Sequence, residues 1–300
     1  MRNWKHPTPG ADRNNPGIDI ASQWRPENDD QKMELMKKQL SLVFHSLLLL
    51  LFVSESTQGQ DAAAKGLAIA VEAKQRDHGY GDFSANAKMV LRNKQGQTTT
   101  KEMKIRVLEA SNDQGEKSLT IFTAPADTAG TILLSHSFKN DDDNQWIFLP
   151  SIKRTKRIAS GNKSGSFVGS EFSYEDISPQ QVEKYTYKYI KEGTYQKQLC
   201  HVVERYPKDR KSGYKKQVVW LDKEHLRPLK VENYDKKNSL LKTLASGGYK
   251  QYLQKYWRPT SARMINHQSG KSTDVFYTDY VFQSGLDEAD FDRARMERHR

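Results

Sequence analysis

The sequence has almost no cysteine, since Cys200 is the only one among 300 residues. A single cysteine forms no intramolecular disulfide, so the chain is not a small secreted domain held together by disulfide bonds. Cys200 lies in the strand-like run QLCHVVE and is interpreted as a small buried core residue. No pair of Cys and His residues has the spacing of a zinc site. We therefore predict no metal and no other cofactor.

Catalytic motifs are lacking as well. Residues 161–169, GNKSGSFVG, have neither the Gly-Lys-Ser/Thr ending of a phosphate-binding loop nor the pattern of a nucleophile elbow. The eight histidines are scattered, and the acidic run 141–144 has no EF-hand spacing, so it is interpreted as a solvated hairpin tip. A hydrolase of envelope lipids would need an activated Ser or His, which no motif indicates. The sequence therefore predicts a protein that is not an enzyme.

Long apolar runs are absent apart from residues 40–53, LSLVFHSLLLLLFV. This run is shorter than the roughly 20 residues of a membrane-spanning helix. Lys37 and Lys38 precede it and the small polar residues SESTQG follow it, an order typical of a secretory signal peptide. We predict a signal peptide over residues 33–59 with cleavage near Gln60. No cysteine for lipid attachment follows, so a soluble periplasmic protein is expected if the source is a Gram-negative bacterium.

Residues 1–32 do not fit a signal peptide, because they are rich in Pro, Asn and Asp and have no apolar periodicity. One interpretation is a mis-called extension, with the true start at Met33 or Met36. The other is a disordered cytoplasmic leader on a signal anchor.

The formal net charge of +11 should attract anionic partners. Lipid headgroups, lipid A phosphates and nucleic acid all have the matching charge. An exported protein meets little nucleic acid, so we predict lipid or membrane anions as partners and no nucleic acid.

The rest of the chain has mostly the alternation of half-buried β-strands. Residues 61–77 are the exception and predict a helix, whose apolar stripe is expected to be Ala63, Ala64, Leu67, Ala70 and Val71. From about residue 82 to 282, alternating runs separated by turn signals predict about ten or eleven antiparallel strands. A sheet of that size must curl or close. We predict a mainly β single domain over residues 60–286, a curved antiparallel sheet forming an incomplete barrel with a covering helix, and then a charged tail, 287–300, in which Phe291 docks and the rest frays.

Residues 145–158, QWIFLPSIKRTKRI, combine an aromatic pair with a basic cluster. Trp146 and Phe148 share one strand face, and four cations follow: Lys153, Arg154, Lys156 and Arg157. This arrangement suits an amphiphile, with its chain on the aromatic rings and its headgroup on the cations, and the cations also suit docking on an anionic partner. Alternation places Arg154 and Lys156 opposite to Lys153 and Arg157. The alternative is a half-buried strand followed by a solvated one.

Residues 164–177, SGSFVGSEFSYEDI, form an aromatic loop among glycines and serines. Phe167, Phe172 and Tyr174 are either a mobile apolar gate or a cover for the core. We predict that Phe167 and Phe172, with Trp146 and Phe148, line or gate an apolar cavity.

These stretches resemble the LolA-like outer-membrane lipoprotein-sorting proteins, and more narrowly the branch often encoded near RND-type lipid exporters. The likeness covers roughly residues 65–285 and is carried by GTILLS (130–135), QWIFLPSIKRTKRIA (145–159), SGSFVGSEFSYEDI (164–177), DFSANAKMVL (82–91), FTAPADTAGT (122–131) and YDKKNSLLKTL (234–244). It implies a LolA/LolB-like half-barrel whose opening is covered by helices. Candidate ligand-binding residues within these stretches are Leu133, Trp146, Phe148, Phe167, Phe172 and Tyr174.

The resemblance also implies a function, which is to shield acyl chains of lipids or lipoproteins while they cross the periplasm toward the outer membrane. Partners of such a carrier or chaperone would be an inner-membrane RND-type transporter and an outer-membrane acceptor. The alternative is a lipid-sensing or accessory subunit of the transporter that moves no cargo. Lipid that co-purifies in a closed cavity would favour the carrier, whereas a stable transporter complex without lipid would favour the accessory role.

Overall fold

The computed structural model describes residues 33–34, 36–38, 59–109 and 114–298. The chain divides into two units, Met1–Thr57 and Gln58–Arg300. In the first unit the described residues are helical and exposed. The apolar run 40–53 and the extension 1–32 lie outside the described residues. Of the helices that the structure does describe, none combines the length and hydrophobicity that a membrane span requires.

Helix α1 covers residues 59–76, close to the predicted range, but a different face of it is buried. Leu67 and Val71 of the expected stripe are 45% and 37% exposed, whereas Ile69 is 8% exposed. The reason is Gly66, which is buried against strand β7 (Tyr185–Tyr195). A Cβ atom on Gly66 would lie 2.7 Å from the backbone nitrogen of Tyr189, so the helix approaches the sheet through its smallest residue.

The described residues form fifteen strands. Their bounds are β1 Asp82–Arg92, β2 Thr98–Leu108, β3 Gln114–Ala124, β4 Ile132–Phe138, β5 Asn144–Leu149, β6 Arg154–Ile158, β7 Tyr185–Tyr195, β8 Gln198–Pro207, β9 Tyr214–Asp222, β10 Pro228–Asp235, β11 Leu240–Gly247, β12 Lys250–Tyr252, β13 Tyr256–Arg258, β14 Ser261–Asn266 and β15 Ser272–Phe282. The predicted ten or eleven strands were too few, because β6, β12 and β13 have only three to five residues and show little alternation.

Thirteen of these strands form one antiparallel sheet in the order β6-β5-β4-β3-β2-β1-β15-β14-β11-β10-β9-β8-β7, while β12 and β13 form a separate hairpin. The two edge strands, β6 and β7, are not paired with each other. The sheet is therefore a curved, incomplete barrel, and the predicted fold class is confirmed.

Residues 159–184 carry the chain from edge strand β6 to edge strand β7, and we call them the crossing segment. They contain the short helix α2, Tyr174–Ile177, and 3-10 turns at Ser160–Asn162 and Val182–Lys184. A further 3-10 turn, Pro150–Ile152, separates β5 from β6. Because the segment returns across the open side, it covers the concave face of the sheet.

Four apolar clusters pack against the sheet, and one of them joins Tyr80 and Val107 to Tyr256 of the β12–β13 hairpin. On the concave face, the crossing segment packs on β1–β5, β14 and β15, and α1 packs on β8–β10. On the opposite face of β3–β5, the C-terminal 3-10 turns Glu288–Phe291 and Arg293–Arg298 form the third cluster. Phe291 docks there with 1% exposure and Met296 with 0%, so the expectation that the chain frays beyond Phe291 is wrong as far as residue 298.

Candidate functional site

Two cavities lie between the concave face and its covers. The first, which we call the helix-side cavity, has a volume of about 590 Å³ and lies between α1, strands β7–β9 and the β12–β13 hairpin. The second, the loop-side cavity, has a volume of about 430 Å³ and lies between strands β1–β3, β11, β14 and β15 and the crossing segment. Both volumes fall within the range of ordinary ligand pockets, roughly 300–1,000 Å³.

The helix-side cavity has an apolar floor and a basic rim. Its floor consists of Ala70, Ala73, Val203, Val219, Leu221 and Leu226, and its cations are Lys74, Arg76, Arg205, Arg227 and Lys255. Trp257 stands at the rim, stacked on His225 with ring centroids 4.6 Å apart and lying 4.5 Å from the guanidinium carbon of Arg227. Such a lining suits the chain and the anionic headgroup of an amphiphile.

The loop-side cavity is lined mainly by aliphatic, methionine and aromatic side chains. Met89 and Met103 contribute from β1 and β2, and Phe167 and Phe172 from the crossing segment. Phe167 is 2% exposed and packs against Phe122, with ring centroids 5.6 Å apart. The space behind the crossing segment is therefore largely apolar, although four charged residues also line it: Asp77, Glu116, Asp176 and Arg258.

A buried ion pair holds the crossing segment in place. The Nζ atom of Lys242 donates to the Asp176 carboxylate at 2.7 Å, and both side chains are less than 8% exposed. The hydroxyl of Tyr214 donates to the other oxygen of Asp176 at 2.7 Å. Burial, together with the Asp176 charge, raises the pKa of the Tyr214 hydroxyl well above its usual value, so Tyr214 remains a donor.

Two further carboxylates tie the same segment to its neighbours. The Glu171 carboxylate accepts from Asn266 Nδ2 at 2.7 Å, and Glu175 accepts from Ser212 Oγ at 2.7 Å and from the backbone of Gly213 at 2.8 Å. Burial raises the pKa of the Glu175 carboxyl, although these hydrogen bonds oppose the shift. These contacts hold the crossing segment over the concave face. The segment can move away only if the Lys242–Asp176 pair and these hydrogen bonds break.

Four of the six candidate ligand-binding residues come together on the concave face. Leu133, Phe167 and Phe172 are buried in the same apolar cluster, and Tyr174 packs against it. Of these, Phe167 and Phe172 line the loop-side cavity.

The structure places Trp146 and Phe148 on the other face of β5 instead. Phe148 is fully buried in the cluster under the C-terminal segment, and Trp146 packs at its edge, with its ring 5.2 Å from that of His136. Alternation along β5 turns Ile147 toward the concave face. The prediction that these two aromatic residues share a cavity with Phe167 and Phe172 is therefore corrected.

The basic cluster lies on and beside β6, an edge strand, and all four side chains are exposed. Arg157 donates to Asn144 Oδ1 at 2.5 Å. Lys153 has a left-handed backbone conformation with φ of 49°, so it precedes the strand and does not follow its alternation. Lys153, Arg154 and Lys156 make no ion pair with any residue that the structure describes.

Several cavity residues were missed by the sequence analysis. The hairpin β12–β13 places Gln251, Lys255 and Trp257 at the helix-side cavity, and Arg258 at the loop-side cavity. The sequence signal for this hairpin was the pair of three-residue strands KQY and YWR, which are too short to show a clear period.

Comparison with known proteins shows to which family the chain belongs. A family model described as an uncharacterized protein matches residues 114–298. An outer membrane lipoprotein-sorting protein domain from Vibrio parahaemolyticus is 51% identical over 78% of this chain and 99% of that domain, with a TM-score of 0.77. The chain belongs to the family of outer-membrane lipoprotein-sorting proteins.

Two more solved structures have a similar fold. A DUF1329 family protein from Desulfovibrio piger is 29% identical over 78% of this chain and 99% of its own, with a TM-score of 0.74. A LolA superfamily protein from Nitrosomonas europaea is 21% identical over 76% and 97%, with a TM-score of 0.60, and shares the fold. No curated protein matches the sequence.

Proposed function

We propose that this LolA-like protein is a periplasmic carrier that binds acyl chains of lipids or lipoproteins inside its half-barrel. The observation that carries the proposal is the apolar concave face, which two separate covers close over cavities of about 590 and 430 Å³. Membership of the lipoprotein-sorting family supports the same role.

Burial of an acyl chain supplies enough free energy for such a carrier. Each buried CH₂ group contributes about 0.8 kcal/mol, so ten groups contribute about 8 kcal/mol before the costs of ordering. A micromolar complex has a net free energy of about 8 kcal/mol, so a chain that buries more than ten groups reaches this range once those costs are subtracted. The carrier therefore needs neither a covalent bond nor a cofactor, and release follows when a cover moves.

The crossing segment is the proposed gate. Phe167 and Phe172 fill the concave face from this segment, and the Lys242–Asp176 pair fastens it to β11. Opening would expose the loop-side cavity along its length, because the segment spans the sheet from one edge to the other.

The cations around β6 are the proposed docking site for an anionic partner. They are exposed, and Lys156 and Arg157 border the same depression as Tyr174 of the crossing segment. Docking there would bring a transporter, an acceptor or a lipid surface next to the gate. We propose transfer toward the outer membrane, with an inner-membrane RND-type transporter as donor.

Mass spectrometry of organic extracts from the purified protein tests the carrier directly. We expect stoichiometric lipid or lipoprotein acyl groups in protein prepared from its native envelope. A protein that is free of lipid, and that binds no fluorescent fatty acid after purification, is not a carrier.

The exposed cations on an open sheet edge also favour a second candidate, an accessory subunit that docks on a transporter without moving cargo. Co-purification separates the two functions. A stable transporter complex in which the protein contains no lipid supports the accessory role, and lipid exchange between donor and acceptor vesicles supports the carrier.

A further inference from the structure

The two cavities adjoin at a group of charged residues. Asp77, Glu116 and Trp257 line both cavities. Lys74 is paired with Glu116, and Arg258 is paired with Asp77 at 2.5 Å. We call these five residues the partition. It is unusual in position, because the surfaces on either side of it are largely apolar.

Arg258 has hydrogen-bond donors that the protein leaves unused. The residue is 9% exposed, and an arginine carries five N–H donors. Both hydrogen bonds of its guanidinium come from Nη1, to Asp77 Oδ1 at 2.5 Å and to the backbone oxygen of Trp257 at 2.9 Å. Within the described part of the chain, Nε and Nη2 have no acceptor. Neither atom is among the fully buried polar atoms without a partner, so these three N–H groups can be reached from the loop-side cavity, which Arg258 lines.

The unused donors have the geometry for an oxyanion. Nε and Nη2 lie on one edge of the planar guanidinium and bind a carboxylate or phosphate through two parallel hydrogen bonds. Aromatic rings hold the guanidinium in position, since its carbon lies 5.0 Å from the ring centre of Tyr80, 5.1 Å from Phe83 and 5.4 Å from Phe282. Little conformational entropy remains to be lost on binding.

We propose that Arg258 binds the anionic headgroup of the cargo through Nε and Nη2, with the acyl chain in the loop-side cavity. The ligand is thus an amphiphile with a carboxylate or phosphate next to its chain. This inference rests on the proposed function, because it assigns the ligand of the same cavities. Asp77 is the competing anion: its side chain is 46% exposed, and it neutralises Arg258 when no cargo is bound.

The test compares parinaric acid with its methyl ester, two fluorescent probes that share a chain and differ in charge. We expect the purified protein to bind the acid at least about tenfold more tightly than the ester, the effect of one charge-assisted interaction. Arg258→Gln should remove that preference by lowering the affinity for the acid far more than the affinity for the ester. Asp77→Asn should increase the affinity for the acid alone, a gain that no loss of folding would produce.

Two controls keep the outcomes distinct. Lys216→Gln removes the Lys216–Glu204 ion pair, at 2.6 Å, which borders neither cavity, and should leave both affinities unchanged. Arg258→Lys keeps the charge without the two-point geometry and should retain only part of the preference, which tests the proposal if Arg258→Gln does not fold.

The results that would overturn the proposal differ from those that would overturn the carrier. Equal binding of acid and ester by the unmodified protein would reject the headgroup site at Arg258 but not the proposal that the protein binds acyl chains. If the protein binds neither probe, both proposals are rejected. Displacement of the acid by millimolar inorganic phosphate, to the same extent as by unlabelled fatty acid, would show that the site takes a free anion, and would also overturn the proposal.

Discussion

The two covers of the concave face are fastened in different ways. Helix α1 lies on β7–β10 through small residues, with Ile69 as its one large buried side chain. The crossing segment inserts two phenylalanines into the opposite half of the face and is tied down by the buried Lys242–Asp176 pair. The crossing segment is therefore held by buried aromatic side chains and by a buried ion pair. The helix is held by the close approach of its backbone to the sheet. The two covers should respond to different mutations.

Phe167→Ala should have the largest effect, because it removes a fully packed ring from the apolar cluster between the crossing segment and the sheet. A buried Phe→Ala change costs about 4 kcal/mol in the free energy of unfolding. Urea unfolding measures it, and Phe276→Ala, on an exposed position of β15, is the matched control with an expected cost below about 1 kcal/mol. Equal losses at the two positions would mean that the ring on the segment is not part of the core.

Lys242→Ala should come next, since it leaves the Asp176 carboxylate buried without its cation. We expect a loss of about 3 kcal/mol, together with faster proteolysis within residues 159–184. Lys216→Ala, which breaks a more exposed pair with Glu204, should cost less than about 1 kcal/mol. Faster proteolysis without any loss of global stability would mean that the Lys242–Asp176 pair controls only the local opening of the crossing segment.

Gly66→Ala should cost about 1–2 kcal/mol even though alanine is the better helix former by about 1 kcal/mol. The added Cβ would lie 2.7 Å from a backbone atom of β7, so α1 must shift outward. Ala64→Gly, on the exposed side of the same helix, measures the propensity alone and should cost about 1 kcal/mol. A more stable Gly66→Ala protein would contradict the close approach of helix and sheet.

Charge reversal of Arg154 and Lys156 should have the smallest effect on stability, below about 0.5 kcal/mol, because both side chains are exposed. Binding to anionic liposomes should nevertheless weaken and lose part of its salt dependence. Reversal of Lys153 and Arg157 provides the comparison with the cations off that face, since Arg157 lies on the other side of β6 and Lys153 precedes the strand. If neither double variant differs from the unmodified protein, the cluster is a solvated edge without a docking role.

Alternation predicted the sheet but could not say which side of it is concave. Along β4 and β5 both faces are buried, one under the crossing segment and one under the C-terminal turns. Leu133 and Phe148 are therefore equally apolar in sequence and lie on opposite sides. The phase of a strand is set by distant parts of the chain, which local pattern does not contain.

The helix and the partition illustrate the same limit. Gly66 has no side chain to count in an apolar stripe, so the predicted face of α1 was rotated toward Leu67 and Val71. Arg258 acquires its position from a three-residue strand, from Asp77 at the end of α1 and from rings on β1 and β15. The aromatic loop, in contrast, was identified from its own composition.

The pairing of β1 with β15 has a consequence for how the protein folds. Phe83 lies in the first strand along the chain and pairs with Phe282 in the last strand. These two strands are neighbours in the middle of the sheet. Contacts so distant in sequence slow folding and leave an unpaired strand edge exposed in the meantime. We therefore expect the protein to refold slowly, and to refold better when the edge of β1 is protected until β15 pairs with it.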